Sequence, residues 1–126
     1  MKKVLFPCKC DPIHVGHLMQ IKWLINKGYD VTVDIFWSGK EERIQSPWEI
    51  RYILYIIFNN RVHITTHDVS YAEGFPDGIR NQYDIVATGN DNLIPALVAR
   101  YIPFIKLNRS PGYRASKMRK LYVDES

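Results

Sequence analysis

Cysteine is scarce in this chain: there are two in 126 residues, Cys8 and Cys10. Two are too few for a scaffold built on disulfides, so the fold has to rest on an apolar core. Long apolar runs are missing as well. The longest, residues 53–58, is far shorter than the ~20 residues that cross a bilayer. Lys2 and Lys3 give a basic start, but only a four-residue apolar run follows, which does not make a secretory leader. A soluble, cytosolic protein with no membrane partner is expected. Glycine and proline, seven of each, are close to average, and there is no internal repeat, linker or low-complexity tract. No arginine-rich or basic run stands out. The net charge of +4 therefore suits phosphorylated small molecules better than nucleic acid.

What is present is enough for one ordinary globular domain, residues 1–126, with 46% hydrophobic residues to fill its core. The chain is organised around Cys8-Lys9-Cys10-Asp11-Pro12-Ile13-His14-Val15-Gly16-His17. Before it, Val4-Leu5-Phe6 reads as a strand buried on both faces, over residues 3–7. After it, residues 18–26 read as a helix, with Leu18, Ile21, Leu24 and Ile25 on one side and Gly28 as its terminator. His14 and His17 thus stand where a strand hands over to a helix. Residues three apart share a helix face, so both imidazoles can address one object. A helix N-terminus offers backbone N–H groups to an anion, and Gly16 lets a phosphate approach the backbone.

Those four metal-type ligands within ten residues, Cys8, Cys10, His14 and His17, raise a zinc reading. Structural zinc sites space their ligand pairs more widely, and Asp11, Pro12 and Gly16 have no role in one. No metal ligand is expected on that ground.

Further along, residues 30–37 read as a second strand, completing a βαβ unit. The polar stretch 38–43 follows, and its Lys40 is placed at the same edge of the sheet as the histidines. Ser46-Pro47-Trp48-Glu49 is a helix start with a hydroxyl cap, a proline at the first position and an acid three residues on. Ile50, Ile53, Leu54 and Ile57 form its core stripe. Arg51 in its first turn is disfavoured by the helix dipole, which an anion nearby would offset. Residues 61–67 alternate as a third strand, with His63 and His67 as strand residues. Residues 84–88 form a fourth strand, followed by Gly89-Asn90-Asp91-Asn92 and a helix over 93–101, with Asp91 at or near its cap. Residues 103–107 form a fifth strand. The basic stretch Arg109-Ser110-Pro111-Gly112-Tyr113-Arg114-Ala115-Ser116-Lys117-Met118-Arg119 places a hydroxyl at a helix start and cations one turn later, a second phosphate cradle.

Cys10-Asp11-Pro12-Ile13-His14-Val15-Gly16-His17 resembles the F-D-x-x-H-x-G-H signature of the nucleotidyltransferase superfamily, whose members include cytidylyltransferases and adenylyltransferases. Cys10 takes the place of the usual aromatic and Cys8 that of a common glycine. The 109–120 stretch resembles the superfamily's C-terminal signature, with Ser116 at the hydroxyl position, Arg119 at the basic one, and Arg114 where serine is more usual. Chain length and the placing of Lys40, Arg51 and Arg109 are most like glycerol-3-phosphate cytidylyltransferases. The Gly89-to-Leu93 stretch is more like the nicotinate/NMN adenylyltransferase branch.

The resemblance implies an α/β, Rossmann-like fold: a five-stranded, mainly parallel sheet with helices on both faces. G-x-G-x-x-G is absent, so NAD or FAD is not expected as a cofactor. The implied reaction moves a nucleoside monophosphate from a nucleoside triphosphate, CTP favoured, to a phosphorylated small molecule, with pyrophosphate leaving. His14, His17, Lys40, Arg109 and Arg119 would act on the reacting phosphates. Cys8, Lys9, Cys10, Gly16, Gly89, Asp91 and Ser116 would bind the nucleotide, and Asp11 and Arg51 the acceptor. Mg²⁺ would be held mainly through the phosphates. A homodimer is also implied by the resemblance. An adenylyltransferase of the NMN or pantetheine-phosphate type is the alternative, and a nucleotide-binding module without turnover is a third reading.

Overall fold

The computed structural model describes residues 1–36, 45–67 and 82–108. In chain order the elements are β1 (Lys3–Cys8), α1 (Val15–Asn26), β2 (Asp30–Phe36), α2 (Pro47–Phe58), a 3₁₀ turn (Asn59–Arg61), β3 (Val62–His67), β4 (Ile85–Thr88), α3 (Ile94–Ala99) and β5 (Phe104–Lys106). The five strands form one sheet in the order β3-β2-β1-β4-β5, and every pair is parallel. The expected Rossmann-like α/β architecture is therefore observed.

β1 lies in the middle of that sheet, and its alternation shows why it is apolar throughout. Val4, Phe6 and Cys8 join the core on one face, together with Ile21 and Leu24 of α1 and Ile50 and Leu54 of α2. Leu5 points the other way, into a smaller core with Val86, Leu93, Leu97 and Ile102. A strand with helices on both sides has no solvent face to make polar.

Each helix is set by local chemistry. α1 begins at Val15, three residues before its expected start, because the ladder opens with Leu18 N–H donating to the His14 carbonyl at 3.2 Å. Gly28 closes α1 at φ +86°, with its N–H on Ile25 and the next N–H, from Tyr29, on Leu24. That is the paired 5→2 and 6→1 closure that glycine's left-handed freedom permits. α2 starts as its sequence dictates: Ser46 Oγ accepts from Glu49 N–H at 3.2 Å and Pro47 occupies the first turn. Its buried stripe differs from the expected one. Ile50, Leu54 and Phe58, spaced by four, are buried, whereas Ile57 is exposed. The expected helix over 93–101 is shorter, because Leu93 is its N-cap and Tyr101 turns left-handed at φ +55°.

Burying one leucine fully contributes about 1.5–3 kcal/mol, and removing it leaves a cavity besides. Leu54→Ala should therefore lower the unfolding free energy by about 2–5 kcal/mol in urea titrations. Ile56→Ala, on the exposed side of the same helix, should change it by no more than about 0.5 kcal/mol. Equal losses at the two positions would mean that α2 packs through a different face.

Candidate active site

β1 ends at Cys8, opposite Ile35 of β2, so the chain must turn out of the sheet over residues 9–14. Cys10 makes the turn in the left-handed region at φ +50°, the Asp11–Pro12 peptide is cis, and His14 is extended again at φ −141° as the N-cap of α1. All strands run in parallel, so this loop stands at the carboxyl edge, where open α/β sheets bind ligands.

The turn is pinned from across the chain. Asp11 is fully buried, and its Oδ1 accepts from Gln45 N–H at 2.9 Å. Gln45 Oε1 in turn accepts from Ile13 N–H at 2.9 Å. The loop is thereby tied to the segment leading into α2. Asp11, a candidate for the acceptor, thus also has a partner within the protein. Gln45 carried no sequence signal, since its partner lies 34 positions away.

The two histidines come together as their spacing requires. Their rings stack with centroids 3.7 Å apart and planes inclined by 23°. His14 is buried and His17 partly so. The His14 backbone N–H donates to His17 Nδ1 at 3.2 Å. That contact makes His17 Nδ1 an acceptor and orients the ring. The N–H groups of Val15 and Gly16 lie outside the helical ladder, which adds backbone donors and the positive end of the helix dipole at the same place. Gly16 is buried in this first turn.

Gly89 follows Thr88 on β4, the neighbour of β1, and so lies at the same edge. Thr88 Oγ1 accepts from Asn90 N–H, and Asn90 Oδ1 from Asn92 N–H, each at 3.0 Å, which shapes the turn. Asp91 sits two residues before the N-cap Leu93, and its carboxylate is 2.8 Å from Lys106 Nζ. Arg51 is exposed on α2. It lines a hollow of about 580 Å³ with Trp48, Tyr52, Tyr55 and His63, whose walls include neither His14 nor His17. His63 is a strand residue, as expected, 3.2 Å from Asp30. Lys9 is partly buried in the loop. Lys40, Arg109, Ser116 and Arg119 lie outside the described residues. The last described residue, Asn108, is held by Gln20 Nε2 donating to its carbonyl at 3.1 Å, one turn along α1 from His17.

One further feature is a buried acid in β2. Asp34 is fully buried in β2, beside Pro7, and accepts from Thr65 Oγ1 at 2.6 Å. An aspartate inside Val31-Thr32-Val33-Asp34-Ile35 was a visible signal for it. Of the four residues weighed as zinc ligands, Cys8, Cys10 and His17 bring one ligand atom each to within 4.8 Å of one another. The two sulfurs are joined as a disulfide in this structure.

A nicotinamide-nucleotide adenylyltransferase of Sulfurisphaera tokodaii is 32% identical over 143 residues, covering 98% of this chain and 81% of that protein. The chain belongs to the nicotinamide-nucleotide adenylyltransferase family. It is thus a nucleotidyltransferase, and the H-x-G-H resemblance is upheld at the level of the superfamily. The fold matches a bifunctional NMN adenylyltransferase/ADP-ribose pyrophosphatase of Francisella tularensis, solved with AMP and a manganese ion, at a TM-score of 0.71 and 13% identity. That match takes in the whole of this chain and 43% of the larger one. No family model matches the chain.

The Asp11 clamp yields a direct test. Asp11→Ala removes the acceptor of a part-buried backbone N–H, which costs about 1–3 kcal/mol. Urea unfolding of the ligand-free protein should show that loss. Unchanged stability would return Asp11 to a purely ligand-binding role.

Proposed function

We propose that this enzyme transfers the adenylyl group of ATP to nicotinamide mononucleotide. The observation that carries the choice of substrates is the relative of that activity, matched along 98% of the chain. It favours the adenylyltransferase alternative over the CTP reading, which rested on chain length and on the placing of Lys40, Arg51 and Arg109.

In the proposed reaction a phosphate oxygen of the mononucleotide attacks the α-phosphorus of ATP in line. The new bond joins that oxygen to the α-phosphorus, and the bond from the α-phosphorus to the bridging oxygen breaks as pyrophosphate leaves. The attacking phosphate is already an anion at neutral pH, so no side chain has to take a proton from it. What remains is positioning and the stabilisation of charge on the equatorial oxygens. The stacked pair His14 and His17 suits that task, since imidazoles can donate hydrogen bonds to phosphate oxygens. The N–H groups of Val15 and Gly16 are aligned for the same anion. Gly89, at the adjoining strand end, would approach the nucleotide or the acceptor. Asp91 with Lys106, and Arg51 on α2, are further candidates there. Lys40, Arg109, Ser116 and Arg119 would hold the triphosphate and the leaving group.

A divalent cation, Mg²⁺ in the expected case, would enter with the triphosphate as part of the substrate. The two fully buried carboxylates of the described residues are engaged inside the protein, Asp11 by Gln45 and Asp34 by Thr65. A cation carried by phosphate oxygens fits that arrangement, and the manganese ion and AMP in the Francisella protein support divalent-metal use. The exposed Trp48, Tyr52 and Tyr55 of α2 are compatible with the homodimer that the resemblance implies.

His17→Ala should lower kcat for NAD formation from ATP and nicotinamide mononucleotide by about 10²–10³-fold, the cost of one such donor. Circular dichroism should stay unchanged. Wild-type rates in this variant would remove His17 from the reaction. ATP with Mg²⁺, but not CTP, should raise the melting temperature, with about 2.7 kcal/mol of added stability at a hundred times Kd. A shift with CTP alone would restore the cytidylyltransferase reading.

A further inference from the structure

We propose that, with its two thiols reduced, the chain binds one thiophilic cation of the zinc type through Cys8 Sγ, Cys10 Sγ and one imidazole nitrogen of His17. Their ligand atoms already lie within 4.8 Å of one another. A tetrahedral ion with Zn–S of about 2.3 Å and Zn–N of about 2.0–2.1 Å separates its donors by roughly 3.5–3.8 Å. The cluster therefore has the dimensions of a metal site once the sulfurs part.

The backbone favours this convergence. Cys8 closes β1 on the side that faces α1, and the left-handed turn at Cys10 brings the second side chain back to the same core. The Cα atoms of the pair are 5.2 Å apart. His17 arrives from the first turn of α1, which begins directly after the loop. Sequence spacing argues against a structural zinc module, whose ligand pairs are more widely spaced. The fold needs only three of the four candidate ligands, from a strand end, a turn and a helix, and a water or other small ligand would complete the set. Three protein ligands and one open position is a common zinc arrangement.

The donor set also fixes the class of ion. Two thiolates and an imidazole select zinc, copper(I) or cadmium over magnesium and manganese, which prefer oxygen. This ion is distinct from the one that accompanies a nucleoside triphosphate.

Binding has a structural consequence at the helix entry. His17 Nδ1 is engaged by the His14 N–H. A metal at Nδ1 displaces that bond. A metal at Nε2 moves the imidazole proton to Nδ1, which then cannot accept. In either case the ion breaks the contact that orients His17.

The test uses the full chain, reduced with a phosphine, desalted without air and titrated with Co²⁺ alone. One equivalent should bind with a thiolate-to-cobalt band in the near ultraviolet, and Zn²⁺ should displace it. The His14 amide resonance should shift on loading. Cys10→Ser should abolish the band. Loss of a mere outer partner of a metal ligand costs about 10-fold or more in affinity, so His17→Ala should weaken Co²⁺ by at least about 10-fold. No band from folded, reduced protein overturns the site, and so does Co²⁺ affinity unchanged by either substitution. Should Cys10→Ser fail to fold, zinc X-ray absorption of the wild-type protein decides. Two sulfur scatterers at about 2.3 Å support the site, and a shell of oxygen and nitrogen alone overturns it.

Discussion

The parallel pairing of β1 on both of its edges is the constraint from which the site follows. A strand hydrogen-bonded to β2 on one side and β4 on the other, and covered on both faces, cannot curl or slip to reach a ligand. The chain can only leave it at Cys8 and turn. A helix must come next to carry it back over the sheet, so the first turn of α1 is fixed at the carboxyl edge. The anion-binding end of that helix and the ends of all the strands then point the same way. In the proposed reaction His14 and His17 add chemistry at a helix start and strand edge that favour an anion.

Rigidity in the loop comes from polar groups that no ligand has to touch. Asp11 takes the backbone N–H of Gln45, and the Gln45 side chain takes the N–H of Ile13. Each bond satisfies a half-buried main-chain donor at the turn. Together they set the distance between the β1–α1 turn and the start of α2. In the proposed reaction, a phosphate held by two imidazoles would be sensitive to that distance, because orientation is most of what such a site contributes.

Much of this was legible in the chain. The unbroken Val4-Leu5-Phe6 run announced a central strand, and Ser46-Pro47 with Glu49 announced the start of α2 to the residue. The spacing of His14 and His17 announced a shared face, and the rings do stack. These are local signals, carried by residues a few positions apart. The failures have another character. The Asp11–Gln45 clamp spans 34 positions, and Asp34–Thr65 spans 31. No periodicity connects such residues; only the register of β2 against β3 and the crossing of α2 bring them together. The outward turn of Ile57 has a similar cause. Its side chain fits the stripe of an isolated helix, but the packing of α2 on the core gives the buried line to Ile50, Leu54 and Phe58.

The choice of base was out of reach of the sequence for a different reason. A phosphate is recognised by charge and by N–H groups at defined positions, which a motif such as H-x-G-H can encode. A base is recognised by the shape of its pocket and by backbone donors and acceptors, which almost any side chains can frame. The motif could thus lead to the reaction class while the weighing of CTP against ATP followed chain length and scattered cations. Those features track the size and charge of the substrates, and a nucleoside triphosphate with a phosphorylated acceptor has much the same of both whichever base it carries. The relative tips the balance because its match runs through the framework of the whole chain, and it is that framework which shapes the pocket.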